Sequence, residues 1–171
     1  YMFMSVCAFS VMDLIVKWSE NYPVGEVLFF RGFFGIIPLF FLIPRKRYLD
    51  FYKTNRGFLH FRRCAAGLIA IVAIFIALRK LPLATVVSLS FAAPIFTTIL
   101  SIFLLSEKVG VFRWLAVIIG FIGILVITEP GISELNIYYI FPIIFCLGLS
   151  YVAIAIRQLS STEPVLSLIH I

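Results

Sequence analysis

The chain has 171 residues, 63% of them hydrophobic and 13% charged, with 19 Phe, 8 Pro and 10 Gly and a mean hydropathy of +1.13. A soluble domain of this size carries about a quarter of its residues charged, so the balance excludes one and points to a protein that lives in a bilayer. The composition also excludes a disordered chain, collagen and a disulfide scaffold; the net charge of +6 does not imply nucleic acid, because seven of the fourteen Lys and Arg are gathered between Arg45 and Arg63.

Six runs of about 20 mostly apolar residues, the length a membrane-crossing helix needs, lie near residues 1–18, 25–43, 64–80, 83–105, 111–127 and 138–157. The first run has neither the basic stretch nor the cleavage site of a secretory signal and reads as a mature helix. Asn21-Tyr22-Pro23, Leu81-Pro82, Glu107-Lys108-Val109-Gly110 and Glu129-Pro130-Gly131 punctuate the runs. Connections this short predict antiparallel neighbours and hence an all-α, polytopic membrane helix bundle. With the first residue inside, ten bases face the cytoplasm and three (Lys17, Arg79 and Lys80) face outward, which predicts a cytoplasmic N-terminus in a plasma (inner) membrane. In the 45–63 loop the bases alternate with Phe51, Tyr52, Phe58 and Phe61, a pattern suited to anionic lipid headgroups.

The first two spans are notable for their charges. Asp13 is the one acid well inside a span. Arg31 lies about seven residues into the second, where a mid-bilayer Arg costs roughly 2.5–3.5 kcal/mol on insertion scales and so needs a partner. Both lie roughly 8–9 Å from the outer face, so an interhelical Asp13–Arg31 pair is expected; Glu26, about 140° around the helix from Arg31, is poorly placed to pair with it. Lys17, one turn beyond Asp13, is the competing partner. Asp13 is therefore the first candidate for a coupling or substrate role, set against a purely structural pairing.

In the third span Ala66, Ala70, Ala73 and Ala77 share a face suited to close packing, as do Ala116, Gly120 and Gly123 in the fifth. The fourth, ATVVSLSFAAPIFTTILSIFLL, is the most informative. Pro94 cannot donate to the carbonyl of Ser90, which predicts a kink. Ser90, Pro94, Thr97 and Ser101 then form one small, polar stripe that either packs against a neighbour or lines a pathway. Trp18, Trp114, Tyr138 and Tyr139 sit at span ends as interface anchors. Tyr151, in the middle of the sixth span, needs a partner for its hydroxyl and is a further pathway candidate.

Cys7, Cys64 and Cys146 are read as buried thiols. With only His60 and His170 beside them, no zinc, redox or nucleophilic set can be drawn, so no metal, cofactor or catalysis is expected. A membrane-embedded enzyme and a structural membrane subunit are the alternatives to a carrier. A short four-helix multidrug carrier would also place one acid in its first helix, but six spans weigh against it.

The first span ends VMDLIVKWSENYP and the sixth SYVAIAIRQLSSTEP; each closes with a base (Lys17, Arg157), then Ser, an acid and a proline. The pattern recurs five spans on, an odd number, so the second copy is inverted in the membrane, as in many secondary transporters. The expected organisation is one five-helix repeat over residues 1–130 and the first helix of a second over 131–165, with the rest of that repeat a missing partner. Residues 166–171, LSLIHI, look like a translated adapter rather than native sequence.

The stretch from Ser88 to Pro130 resembles the EamA-type repeat of the drug/metabolite transporter superfamily. The resemblance is carried by Pro94, Leu104-Leu105 with Glu107, Arg113-Trp114, the Gly120-Phe121-Ile122-Gly123 turn and Pro130, and extends to Lys17, Glu26 and Arg31. It implies ten helices in two inverted five-helix repeats, a central cavity and alternating access to a small-molecule substrate. Ser106 departs from the pattern, standing where many relatives have Gly or Asn. Within the superfamily, ATVVSLSFAAPIFTTIL beside an Asp in the first helix is similar to carriers for S-adenosylmethionine uptake, and amino-acid exporters share much of it.

Overall fold

The computed structural model describes residues 2–42, 56–107, 109–128 and 136–160. The bases from Arg45 to Lys53, Lys108, the Glu129-Pro130-Gly131 break and the 161–171 tail lie outside the described residues.

Among the described residues seven α-helices follow one another: α1 (Met2–Trp18), α2 (Val24–Leu42), α3 (Gly57–Lys80), α4 (Leu83–Ser90), α5 (Ala93–Leu105), α6 (Val111–Thr128) and α7 (Ile140–Ser160), the last entered through a 3₁₀ turn, Ile137–Tyr139. No strand occurs among the described residues. Gly57–Lys80, Leu83–Leu105 and Ile137–Ser160 are each long and apolar enough to cross a membrane. Helices α1, α2 and α6, of 17, 19 and 18 residues, are apolar and stand at the short end of the crossing range. The molecule is a membrane helix bundle.

Two boundaries differ from the sequence expectation. Helix α3 starts at Gly57 rather than near residue 64, so Phe58, His60, Phe61, Arg62 and Arg63 are helical and not loop. No breaker separates FLHFRR from the apolar run, and Arg side chains reach an interface from a continuing helix, so nothing stops it earlier. The fourth span is broken rather than kinked: α4 ends at Ser90, Phe91 and Ala92 form a turn, and Pro94 occupies the first turn of α5, where a missing N–H leaves no helical bond unmade. Asn136 starts the last element by accepting the Tyr138 N–H at 3.1 Å.

Helix α3 is the hub, in contact with α1, α2, α4 and α7; α7 also packs on α4 and α5, and α6 on α4 and α5. Where α1, α3 and α4 meet, Val16, Phe75, Ala77, Leu78, Leu81 and Val86 are buried together, with Val24, Val27 and Leu28 of α2 against them. The alanine face of α3 is used as expected: Ala70, Ala73 and Ala77 are buried. Its counterpart on α7 is Gly148, where a Cβ would lie 2.8 Å from Ala70 Cβ and 3.0 Å from the Ala66 carbonyl oxygen. Only a residue without a side chain lets the two backbones come this close.

Contacts between remote residues fix the directions. Lys80 meets Tyr138 and Arg62 meets Tyr151, so α3 and α7 are antiparallel. Ser150 bonds the Ala93 carbonyl while Gln158 bonds that of Leu104, so α5 and α7 are parallel. Most side chains of α1, α2 and α6 are exposed and apolar, Phe33, Phe121 and Ile119 among them. Such faces suit lipid or further helices.

Candidate functional site

Helices α1, α2 and α3 enclose an apolar cleft of about 330 Å³ whose lining includes Met12, Phe30, Phe34, Phe75 and a single charged side chain, Arg31. The Arg31 guanidinium carbon stands 5.5 Å from the centre of the Phe75 ring. Phe75 is fully buried while Arg31 is exposed, so the contact is of the modest strength that cation–ring pairs have at exposed sites. Asp13, half-buried on α1, lies within the electrostatic reach of Arg31. The expected direct pair is not made: among the described residues no carboxylate approaches the guanidinium within 4.0 Å, because Arg31 is drawn to the Phe75 face.

Lys17 is not the partner of Asp13 either. Its ammonium donates to the carbonyls of Leu78 at 3.2 Å and Leu81 at 3.0 Å and stands 3.7 Å from Glu20. The C-terminal carbonyls of α3 have no helical donors and carry the negative end of its dipole, so a cation placed there caps the helix. Glu26 is exposed in the first turn of α2, where a negative charge suits the N-terminal end of the dipole.

A second polar cluster lies at the α4–α5 break. The Thr97 hydroxyl donates to the Ala93 carbonyl at 2.9 Å and lies 3.0 Å from Ser150 Oγ; Ser150, fully buried, also donates to Ala93 at 2.9 Å. The Ser90 carbonyl that Pro94 leaves without its helical donor is approached by the Cys146 thiol at 3.7 Å, which also lies 3.4 Å from the Leu89 carbonyl. Cys146 is buried as expected, whereas Cys7 and Cys64 are exposed on their helices. The stripe read from the sequence is divided by the break: Ser101 is buried and Thr97 faces α7, but Pro94 is exposed and the Ser90 hydroxyl turns back to Val86. The i, i+4 register holds only within a continuous helix, so Phe91-Ala92 separates Ser90 from the others; Pro94 shares α5 with Thr97 and Ser101, and its exposure is not an effect of the break.

Tyr151, half-buried, meets a cation: the Arg62 guanidinium stands 5.5 Å from its ring centre and 5.7 Å from that of Phe58. Glu107 pairs with Arg157 at 2.6 Å, tying the end of α5 to α7. Gly120 and Gly123 have nothing within 4 Å of a Cβ, so the close contact expected there is not made among the described residues. Sequence reasoning passed over Gly148 and Ser150, although small and polar residues in an apolar helix mark an interface.

A family model described as the EamA-like transporter family matches residues 1–129. A protein named S-adenosylmethionine uptake transporter in Rickettsia prowazekii is 30% identical over 97% of this chain and 56% of its own length. An uncharacterized transporter of Helicobacter pylori is 35% identical over 78% and 45%, and a pseudopaline exporter of Pseudomonas aeruginosa 28% over 90% and 54%. The chain thus spans about half the length of the curated relatives it matches. No solved structure matches it. A match across three-quarters of a helical membrane bundle, reached independently through Pro94, Glu107 and the charges of the first hairpin, is decisive: this chain belongs to the EamA-like transporter family.

Proposed function

We propose that this chain is the first half of a secondary transporter that moves a small amino-acid-like or nucleoside-like metabolite across the plasma (inner) membrane by alternating access, with its N-terminus in the cytoplasm. The observation that carries the reading is a pair of opposite charges, Asp13 and Arg31, set in adjoining apolar helices of a chain from a transporter family. Charges are expensive in a bilayer and are retained where a solute or coupling ion is handled. Arg31 in its aromatic cleft supplies a cation for an anionic group, and Asp13 an acid for a cation or a proton. A second five-helix repeat, supplied by the rest of the protein, closes the cavity against α1 and α2. The names of the relatives favour S-adenosylmethionine, an amino-acid and nucleoside conjugate, as the first substrate to test.

The test is solute counterflow by the full-length protein in liposomes, loaded in turn with S-adenosylmethionine, amino acids and nucleosides. At least one class should exchange, and Asp13→Asn should slow it roughly tenfold or more, the equivalent of about 1.4 kcal/mol in the barrier. Exchange of none would overturn the transport reading; exchange undiminished in Asp13→Asn would remove Asp13 from it and leave a structural role.

A further inference from the structure

We propose that the cleft between the α1–α2 turn and the C-terminal end of α3 is an oxyanion site, in which the guanidinium of Arg79 holds a carboxylate or phosphate group. The cleft, about 360 Å³, is lined by Glu20, Asn21, Val24, Ile76, Arg79 and Lys80. Two bases, Arg79 and Lys80, line it, and Lys17 stands nearby against Glu20; Lys17 and Lys80 are already engaged. Lys17 caps α3 through the carbonyls of Leu78 and Leu81, and the Lys80 ammonium stands 5.9 Å from the centre of the Tyr138 ring.

Arg79 is engaged on one side only. Its Nη1 donates to the Tyr22 carbonyl, which pins the α1–α2 turn to α3. Its Nε and Nη2 are buried and have no hydrogen-bond partner. Buried donors without an acceptor in the protein are rare and are met by an ordered water, an ion or a ligand. These two N–H groups point from the same edge of the planar guanidinium, the fork that matches the two oxygens of a carboxylate or phosphate. Glu20 is the one carboxylate in the lining, and it faces elsewhere: half-exposed, it stands 3.7 Å from the Lys17 ammonium. The fork therefore awaits an oxyanion from outside the chain, carried by a solute or by a lipid headgroup at the membrane surface. The site is separate from the Asp13–Arg31 region and does not depend on the transport reading.

The experiment is thermal unfolding of the full-length protein in lipid nanodiscs at constant ionic strength. One arm titrates sodium acetate and sodium phosphate against chloride in phosphatidylcholine discs; the other raises the fraction of phosphatidylglycerol with chloride alone. Saturable stabilisation in the first arm assigns the site to a soluble oxyanion, and in the second to a lipid. In either case Arg79→Gln should abolish the response, and Arg79→Lys, which keeps the charge but not the fork, should weaken it roughly tenfold. If Arg79→Gln does not fold, Arg79→Lys carries the comparison. No saturable response in either arm, or a response with the same midpoint in Arg79→Lys, overturns the proposal.

Discussion

Ser106 is the one non-glycine residue with a positive φ among the described residues, at 53°, and it ends α5 in the left-handed conformation. The N–H groups of Ser106 and Glu107 both turn back to the Ser101 carbonyl, the arrangement that closes a helix and that glycine adopts without strain. Ser106 was already visible in the sequence as a departure from a Gly or Asn position; the φ angle explains why those residues are favoured there. A left-handed L-residue costs roughly 1–2 kcal/mol, partly offset by the larger entropy that glycine loses on folding. Ser106→Gly should therefore stabilise the chain by about 0.5–1 kcal/mol in thermal unfolding, and Ser106→Val should destabilise it. The opposite order would mean that the turn after α5 is held by something other than its backbone angles. Since Glu107, the next residue, reaches Arg157 at 2.6 Å, the same turn also aims the carboxylate that anchors α5 to α7.

Pairs of helices meet closely where side chains vanish. Gly148 on α7 sits against Ala66 and Ala70 of α3, and the third span's alanine stripe was legible from its spacing alone. What spacing did not supply was the partner: Gly120 and Gly123 of α6 carry the same small-residue signal but touch nothing within 4 Å, because a face suited to packing does not say which helix arrives. The polar stripe of the fourth span was likewise half legible. Thr97 and Ser101 turn inward, yet the turn at Phe91-Ala92 takes Ser90, at the end of α4, out of their register, a break before proline that periodicity counts as if the helix were whole. Substitution separates the two kinds of glycine. Gly148→Ala must push a methyl group into the Ala70 side chain and the Ala66 carbonyl, an overpacking that costs about 1–3 kcal/mol. Gly120→Ala meets open space and should be neutral or gain up to about 1 kcal/mol from helix propensity. Unfolding of both variants in detergent checks the order, and Ala70→Gly combined with Gly148→Ala should recover part of the loss. Equal effects at the two positions would show that the α3–α7 approach is looser than the structure has it.

For the whole molecule, the bundle sorts its charges by end. Lys17, Arg79 and Lys80 gather where α1 and α3 finish and α2 starts, held by the Lys17 contacts with the carbonyls of Leu78 and Leu81 and by Arg79 on Tyr22. At the other end stand Arg56, Arg62 and Arg63 at the start of α3, Arg113 at the start of α6 and Arg157 near the close of α7. Among the described residues that second end thus holds five bases against three. Because α7 runs antiparallel to α3 and parallel to α5, no helix can be turned over without breaking these contacts, so one orientation serves the whole bundle. In the orientation proposed above, the end that carries the start of α3 and α6 is the cytoplasmic one. Thiol labelling of intact cells with a membrane-impermeant maleimide tests this. Cys7 and Cys64 are exposed and would first be replaced by Ser, while Cys146 is buried and can stay. Asn21→Cys should then label in intact cells, and Arg113→Cys only after the membrane is opened. The reverse pattern would turn the molecule over, place the Arg79 cleft on the cytoplasmic side and exchange the two entrances between which any transported solute must pass.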